Sequence, residues 1–190
     1  LGSILLFWVA FRNQPESYEH LSINKVSYRK SIRTNELKRT CYSLVIFAMV
    51  GGVMDYFEFL EIARTYSSIG ERSILYLFMS MLLLFGINDL YFYLSHRLLH
   101  WKPIFRKVHF MHHQSHTPNP LSAFSFHPIE GFIQIGFLPL IILFLPLNSY
   151  LLFAFVVFLM LMSVYGHSGY ELRANKPRAF DIFNNSIHHN

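Results

Sequence analysis

Long apolar stretches limit the folds open to this chain. Beyond the amino terminus they cover approximately residues 41–63, 73–95 and 129–165. A helix needs about 20 mostly apolar residues to cross a bilayer, and the third stretch is long enough for two passes. A turn is expected near its middle, around Pro139, Pro146 and Asn148. With 53% hydrophobic residues, the sequence predicts an all-α integral membrane protein. We expect about four transmembrane helices in a single domain, residues 1–190.

A shorter apolar segment, residues 1–11, opens the chain without a Met and is too short to cross a bilayer alone. It also lacks the basic start of a signal peptide. We therefore expect the sequence to begin inside a spanning helix.

The basic residues indicate an orientation. All but two of the 16 Lys and Arg residues fall in 12–40, in 96–127 and after Gly166, whereas Arg64 and Arg72 occupy the connection between two apolar stretches. By the positive-inside rule, the side rich in basic residues is cytoplasmic. Anionic lipid headgroups at the membrane boundary account for the net charge of +5, so the charge gives no reason to expect a nucleic-acid partner.

Histidine is concentrated in the second half of the chain, where ten of the 11 histidines follow residue 95. In HRLLH, His96 and His100 share one helical face at the end of an apolar stretch. If HFMHH is helical, it presents three more imidazoles to a common centre. The remaining histidines of interest follow in FSFHPIEG, YGHSGYE and SIHHN, at His127, His167, His188 and His189. His20 and His116 are interpreted as ordinary surface residues.

This pattern predicts a metal site with nitrogen ligands. Imidazole suits iron, zinc, copper and nickel, and the single Cys41 excludes a disulfide framework and a thiolate cluster. The histidines outnumber the ligands of one tetrahedral zinc, so two metals fit the count better. The sequence has no HExxH motif, which leaves a zinc-protease site without support.

The succession HRLLH, HFMHH, SAFSFHPIEGFIQ, YGHSGYEL and NNSIHHN resembles the sterol desaturase / fatty acid hydroxylase superfamily, in particular its C-5 sterol desaturase branch. The resemblance covers residues of about 73–190. It implies a four-helix membrane base, a cytoplasmic helical cap rich in histidine, and two metal ions bound by histidines. The ligands it implies are His96, His100, His109, His112, His113, His167 and His189. His127 and His188 are further candidates, as ligands or as neighbours of the ligands.

In one respect the sequence departs from that pattern. The last histidine motif of the superfamily continues into a histidine pair, but this sequence ends at Asn190, one residue after His189. We therefore expect the sequence to be a fragment that alone binds metal poorly and has little or no activity.

The resemblance also implies a reaction. Two iron ions would use dioxygen to hydroxylate or desaturate a C–H bond of a sterol or other membrane lipid, and zinc could replace iron in purified samples. The electrons would come from a separate reductase, cytochrome or ferredoxin chain, or from a part of the protein outside this fragment, because no flavin or haem motif is visible. The alternatives are a metal transporter and a non-catalytic membrane protein that binds metal or haem. Haem binding explains the pattern less well, because haem needs only two axial histidines.

Two carboxylates are candidates to support the metal ligands. Asp89 lies seven residues before His96, on the same helical face and within an apolar stretch, and we predict that it accepts a hydrogen bond from a ligand imidazole. Glu130, in HPIEG, is a second candidate acceptor, with helix capping as its alternative role. No catalytic residue is predicted beyond the ligands and these two carboxylates.

Overall fold

The computed structural model of the protein describes residues 30–113, 119 and 121–167, and in this part of the chain the fold is almost entirely helical. The helices are α1 (Lys30–Phe59), α2 (Ile74–Leu99), α3 (Lys102–Phe105), α4 (Pro128–Ile135), α5 (Phe137–Phe144) and α6 (Ser149–Gly166). Three 3₁₀ turns lie between them, at Ile69–Glu71, His109–Met111 and Ser122–Phe124. Two short strands complete the described elements, β1 (Thr65–Tyr66) and β2 (Leu147–Asn148).

Within the described part of the chain, three helical segments have the length and composition of membrane spans: Thr34–Phe59, Ile74–Leu99 and Ser149–Gly166. The first two have 26 residues each, and at 1.5 Å per residue each reaches about 39 Å, more than the roughly 30 Å hydrocarbon core of a bilayer. Their outer faces carry large exposed apolar side chains, such as Phe59 at 80% and Ile74 at 85% exposure. A bilayer would cover these surfaces, and the expectation of an all-α membrane protein is confirmed.

The expected hairpin within 129–165 is present. Its first arm is a 17-residue apolar stretch, Pro128–Phe144, formed by α4 and α5. The chain reverses at residues 145–148, where the Asn148 side chain caps α6 by accepting hydrogen bonds from the backbone N–H groups of Tyr150 and Leu151, at 3.1 and 3.2 Å. Pro139 lies in the first turn of α5 instead of at the reversal.

Gly136 separates α4 from α5. A Cβ atom at this position would lie 2.7 Å from the Phe132 carbonyl oxygen, closer than any side chain tolerates. The junction between the two helices therefore requires glycine.

One end of the helix bundle is held by backbone pairing. Strands β1 and β2 pair in parallel, with Thr65 opposite Leu147 and Tyr66 opposite Asn148. Next to them, the Tyr76 hydroxyl donates a 2.8 Å hydrogen bond to the Pro146 carbonyl. The hydrophobic core includes Leu147 of this strand pair together with Leu84 and Ile142 of the helices, and all three are fully buried.

The histidine-rich segments lie at the other end, where α1 begins, α2 and α6 end, and α4 starts. Within the described residues the expected cap consists of α3 and the two 3₁₀ turns that follow it. The described basic residues of 34–113 divide as the sequence analysis expects. Arg64 and Arg72 lie beside the strand pair, and the others lie at the histidine end: Lys38, Arg39, Arg97, Lys102, Arg106 and Lys107.

Candidate metal centre

The carboxyl end of α2 supplies the first histidine pair. His96 lies in its last turn and His100 is its C-cap, so the two rings project one turn apart. Their Nε2 atoms are 3.1 Å apart. The Phe92 ring stacks on His96 from one turn earlier, with the ring centroids 5.5 Å apart. The HRLLH spacing thus brings the two imidazoles together as predicted.

The HFMHH segment supplies the second pair. It does not form the helix that the sequence analysis considered for it. Only His109–Met111 forms a 3₁₀ turn, and His112 and His113 follow in a turn. The Nε2 atoms of His109 and His113 nevertheless lie 3.0 Å apart. Phe105 of α3 packs against His100 and His113, with centroid distances of 5.4 and 5.5 Å.

Three of these four imidazoles converge on one centre, and His113 adjoins it through His109. One ring nitrogen from each of His96, His100 and His109 lies within 4.8 Å of the others. Two imidazole nitrogens bound to one ion at bond lengths near 2.1 Å are about 3.0–3.4 Å apart, which matches the separations within both pairs. The donor atoms are all imidazole nitrogens, the set that iron and zinc accept. The residues therefore fit a bound metal ion.

A second group of imidazoles lies beside the first. The rings of His112 and His167 are 5.3 Å apart, and Phe126 packs 5.1 Å from His112. His112 also lies 5.7 Å from His109, which connects the two groups. His167 ends α6, and its Nδ1–H donates a 3.0 Å hydrogen bond to the Ser163 carbonyl. This bond directs the Nε2 lone pair of His167 away from its own helix.

A buried carboxylate orients His109. Glu130 Oε1 accepts a 2.8 Å hydrogen bond from His109 Nδ1–H, and the two side chains are 0% and 1% exposed. Glu130 lies in the first turn of α4, in a segment 21 residues after His109. The bond leaves Nε2 of His109 as the lone-pair nitrogen, the atom that faces His113.

Desolvation favours the form of imidazole that binds metal. It lowers the pKa of His100, and the neighbouring His109 lowers it further. Burial also lowers the pKa of His167, against the opposing effect of its hydrogen bond to Ser163. Both rings therefore stay neutral to lower pH than an exposed histidine, and neutral imidazole is the ligand form.

The remaining sequence candidates lie elsewhere. Asp89 is exposed on α2 and makes no hydrogen bond to a described imidazole, so its role as an acceptor stays a prediction. His127 is the N-cap of α4, and its Nδ1 accepts a 3.2 Å hydrogen bond from the Ile129 N–H. No described histidine ring packs against it. His188 and His189 lie outside the described residues.

Sequence reasoning missed the residues of α1 that contact these loops. It interpreted Arg39 as a charge at the membrane boundary, yet Arg39 Nη1 donates a 2.9 Å hydrogen bond to the carbonyl of Met111, next to His112. The one local signal was the presence of Glu36 and Thr40, polar residues one helical turn apart at the start of an apolar helix.

Comparisons with known proteins indicate a family. The profile of the fatty acid hydroxylase family matches residues 81–190, more than half of the chain. That range includes all nine histidines proposed above as ligands or their neighbours.

Among individual relatives, the Delta(7)-sterol 5(6)-desaturase of Saccharomyces cerevisiae is 39% identical over 100 residues, which are 51% of this chain and 26% of the relative. The lathosterol oxidase of Rattus norvegicus is 25% identical over 189 residues, 98% of this chain and 62% of the relative. The Delta(7)-sterol 5(6)-desaturase of Candida dubliniensis is 25% identical over 193 residues, which are 99% of this chain and 49% of the relative. The chain thus spans less than two thirds of each of these relatives. No solved structure matches it.

Proposed function

The chain belongs to the fatty acid hydroxylase family, and we propose that it is part of a membrane-bound oxidoreductase that hydroxylates or desaturates a lipid C–H bond with dioxygen. The observation that carries the proposal is the histidine cluster at one end of an apolar helix bundle, with His109 held by the buried Glu130. Relatives named as sterol desaturases and lathosterol oxidases support a sterol or a similar lipid as the substrate.

Two groups of ligands would hold two iron ions. His96, His100, His109 and His113 form the first group, and His112 and His167 begin the second. His189, His188 and His127 are the candidates to complete the second group. Bound iron would supply the activation of dioxygen that removal of hydrogen from an unactivated C–H bond requires.

Residues around the ligands fix the tautomers of His109 and His167 and exclude water from them. Glu130 holds the proton of His109 on Nδ1, and the Ser163 carbonyl holds that of His167 on Nδ1, so each ring offers Nε2. His109, His112 and His167 are buried, which excludes bulk water from this part of the cluster. Water exclusion protects a strong oxidant from side reactions.

The lipid would approach from the bilayer along α2. Near His96 this helix exposes Phe92, Tyr93 and Leu94, of which Phe92 stacks on His96 itself. A hydrophobic substrate embedded in the membrane can therefore reach the imidazole cluster without passing through water. The reacting carbon would lie at the membrane boundary, where α2 ends.

Electrons would come from a separate donor protein on the cytoplasmic side. This assignment rests on the basic residues at the histidine end of the bundle, read with the positive-inside rule. The donor would be a reductase, cytochrome or ferredoxin that meets the membrane surface where the cluster lies.

Metal analysis tests the proposal. The full-length protein, purified in mild detergent, should contain about two equivalents of iron or zinc, and the double variant His112→Ala/His113→Ala should lose much of it. Incubation of the iron form with donor proteins, sterol and ¹⁸O₂ should give an oxidised lipid by mass spectrometry. A folded parent protein without bound metal, or with the intense visible band of haem, would contradict the di-iron oxidase.

A further inference from the structure

The first spanning helix contacts the histidine-bearing loops through polar side chains. Arg39 Nη1 donates to the Met111 carbonyl at 2.9 Å, Thr40 Oγ1 donates to the Leu121 carbonyl at 2.8 Å, and Asn119 Nδ2 donates to Glu36 Oε2 at 3.1 Å. These bonds join residues 72 to 83 positions apart in the sequence. They are therefore tertiary contacts, made only when α1 is in place.

The polar residues of α1 form a buried stripe. Glu36 and Thr40 are each 1% exposed and Ser43 is fully buried, whereas Lys38 in the same part of the helix is exposed. Burial of polar groups in such a helix is unfavourable unless they bind partners. Membrane anchoring would not require these buried groups. Glu36 and Thr40 bind partners in the loop at the histidine end, whereas Ser43 Oγ binds none among the described residues.

Arg39 lies between two segments that carry histidines. It borders a cleft with Met111, Phe126 and His127, and the carbonyl that it binds directly precedes His112. The backbone of His112 is fixed on its other side by a 3.0 Å hydrogen bond from its N–H to the His109 carbonyl. The direction in which His112 and His113 project thus depends on the peptide that Arg39 binds.

We propose that Arg39, supported by Thr40, is a positioning residue of the metal centre. Arg39 holds the Met111 carbonyl so that His112 and His113 face their ions, and Thr40 holds the Leu121 carbonyl at the return of the chain toward α4. The inference rests on the proposed function, because it assigns these residues a role in a centre that binds metal through those histidines.

Lys38 provides a matched control. It is the preceding residue of α1, carries the same charge, is exposed, and borders the same cleft. Arg39→Gln and Lys38→Gln therefore remove the same charge from the same surface, but only the first removes the bond to Met111.

The experiment measures metal affinity by chelator competition and the Mössbauer spectrum of the ⁵⁷Fe-loaded full-length protein. We expect Arg39→Gln to weaken metal binding about tenfold or more and to alter the spectrum. Loss of a residue that orients the metal ligands without touching the metal has an effect of this size at other metal sites. Arg39→Lys should restore part of the affinity, and Lys38→Gln should match the parent. The same affinity and spectrum in Arg39→Gln as in Lys38→Gln would overturn the inference.

A parent protein that binds no metal would instead refute the proposed function, so the two failures are distinguishable. If Arg39→Gln does not fold, Thr40→Val and Thr40→Ser carry the test. Valine keeps the shape of threonine without the hydroxyl, and serine keeps the hydroxyl. Weaker metal binding in Thr40→Val with recovery in Thr40→Ser supports the inference, and equal affinity in both contradicts it.

Discussion

Glu130 and His109 form a hydrogen-bonded pair across 2.8 Å in the buried interior of the histidine end. The pair joins the first turn of α4 to the 3₁₀ turn of the HFMHH segment, so the orientation of one imidazole depends on how the third apolar region packs.

Replacement of Glu130 should therefore weaken metal binding. We expect Glu130→Ala to lower metal affinity by about 10- to 100-fold, because His109 loses the acceptor that fixes its tautomer. Glu130→Gln should fall between this variant and the parent, since its amide oxygen still accepts the Nδ1–H. Chelator competition gives the affinities, and an unchanged affinity in Glu130→Ala would refute the role.

Asp89→Ala tests the other carboxylate that the sequence singles out. The sequence predicts that this variant has a lower metal content. In the structure the carboxylate that accepts a hydrogen bond from His109 is Glu130, so we expect the larger loss of metal in Glu130→Ala. Metal analysis of the two variants side by side decides between them, and full occupancy in Asp89→Ala would show that the hypothesis for Asp89 is wrong.

His127 and His167 should respond differently to substitution. His167→Ala is expected to lower the metal content, because His167 lies against His112 in the second group. His127→Ala should mainly lower the free energy of unfolding, by about 0.5–2 kcal/mol, through loss of the helix cap.

Asparagine is a good N-cap, so His127→Asn should restore the stability lost in His127→Ala. Thermal denaturation in detergent gives the stability, and metal analysis of the same samples gives the occupancy. A normal Tm with loss of metal in His127→Asn would identify His127 as a ligand instead.

The helix junction at Gly136 gives a stability prediction. Gly136→Ala should lower the free energy of unfolding by roughly 1–3 kcal/mol, because its Cβ would overlap the Phe132 carbonyl. Gly86→Ala is the control, since a Cβ there meets no atom within 4 Å. Equal Tm values for the two variants would contradict the close approach seen at Gly136.

The sequence predicts the helices well because hydropathy reports what a bilayer can cover. It does not show that α1 extends back to Lys30, since the first turns carry charged and polar residues that no hydropathy pattern marks as helical. Of the three residues at which it expects the hairpin to turn, Pro146 and Asn148 lie at the reversal and Pro139 does not. Proline in the first turn of a helix is tolerated, so Pro139 carries no information about where the chain turns.

At the site, the sequence predicts what local geometry determines. His96 and His100 meet because helical periodicity places residues four apart on one face. The partner of His109 is different: Glu130 is chosen by the packing of α4, and no spacing distinguishes it from Asp89. The contacts of Arg39 and Thr40 are also tertiary, and the sequence alone gives no sign of their partners.

The location of the histidine cluster at one end of the bundle has an energetic consequence. In the proposed reaction, the electrons and protons consumed with dioxygen arrive at that same end, and no charge crosses the bilayer. A membrane potential does work of about 2.3 kcal/mol per elementary charge moved through 100 mV. In the proposed reaction it would do none, so we expect turnover to be electrically silent and to run at the same rate in an energised membrane and in a depolarised one.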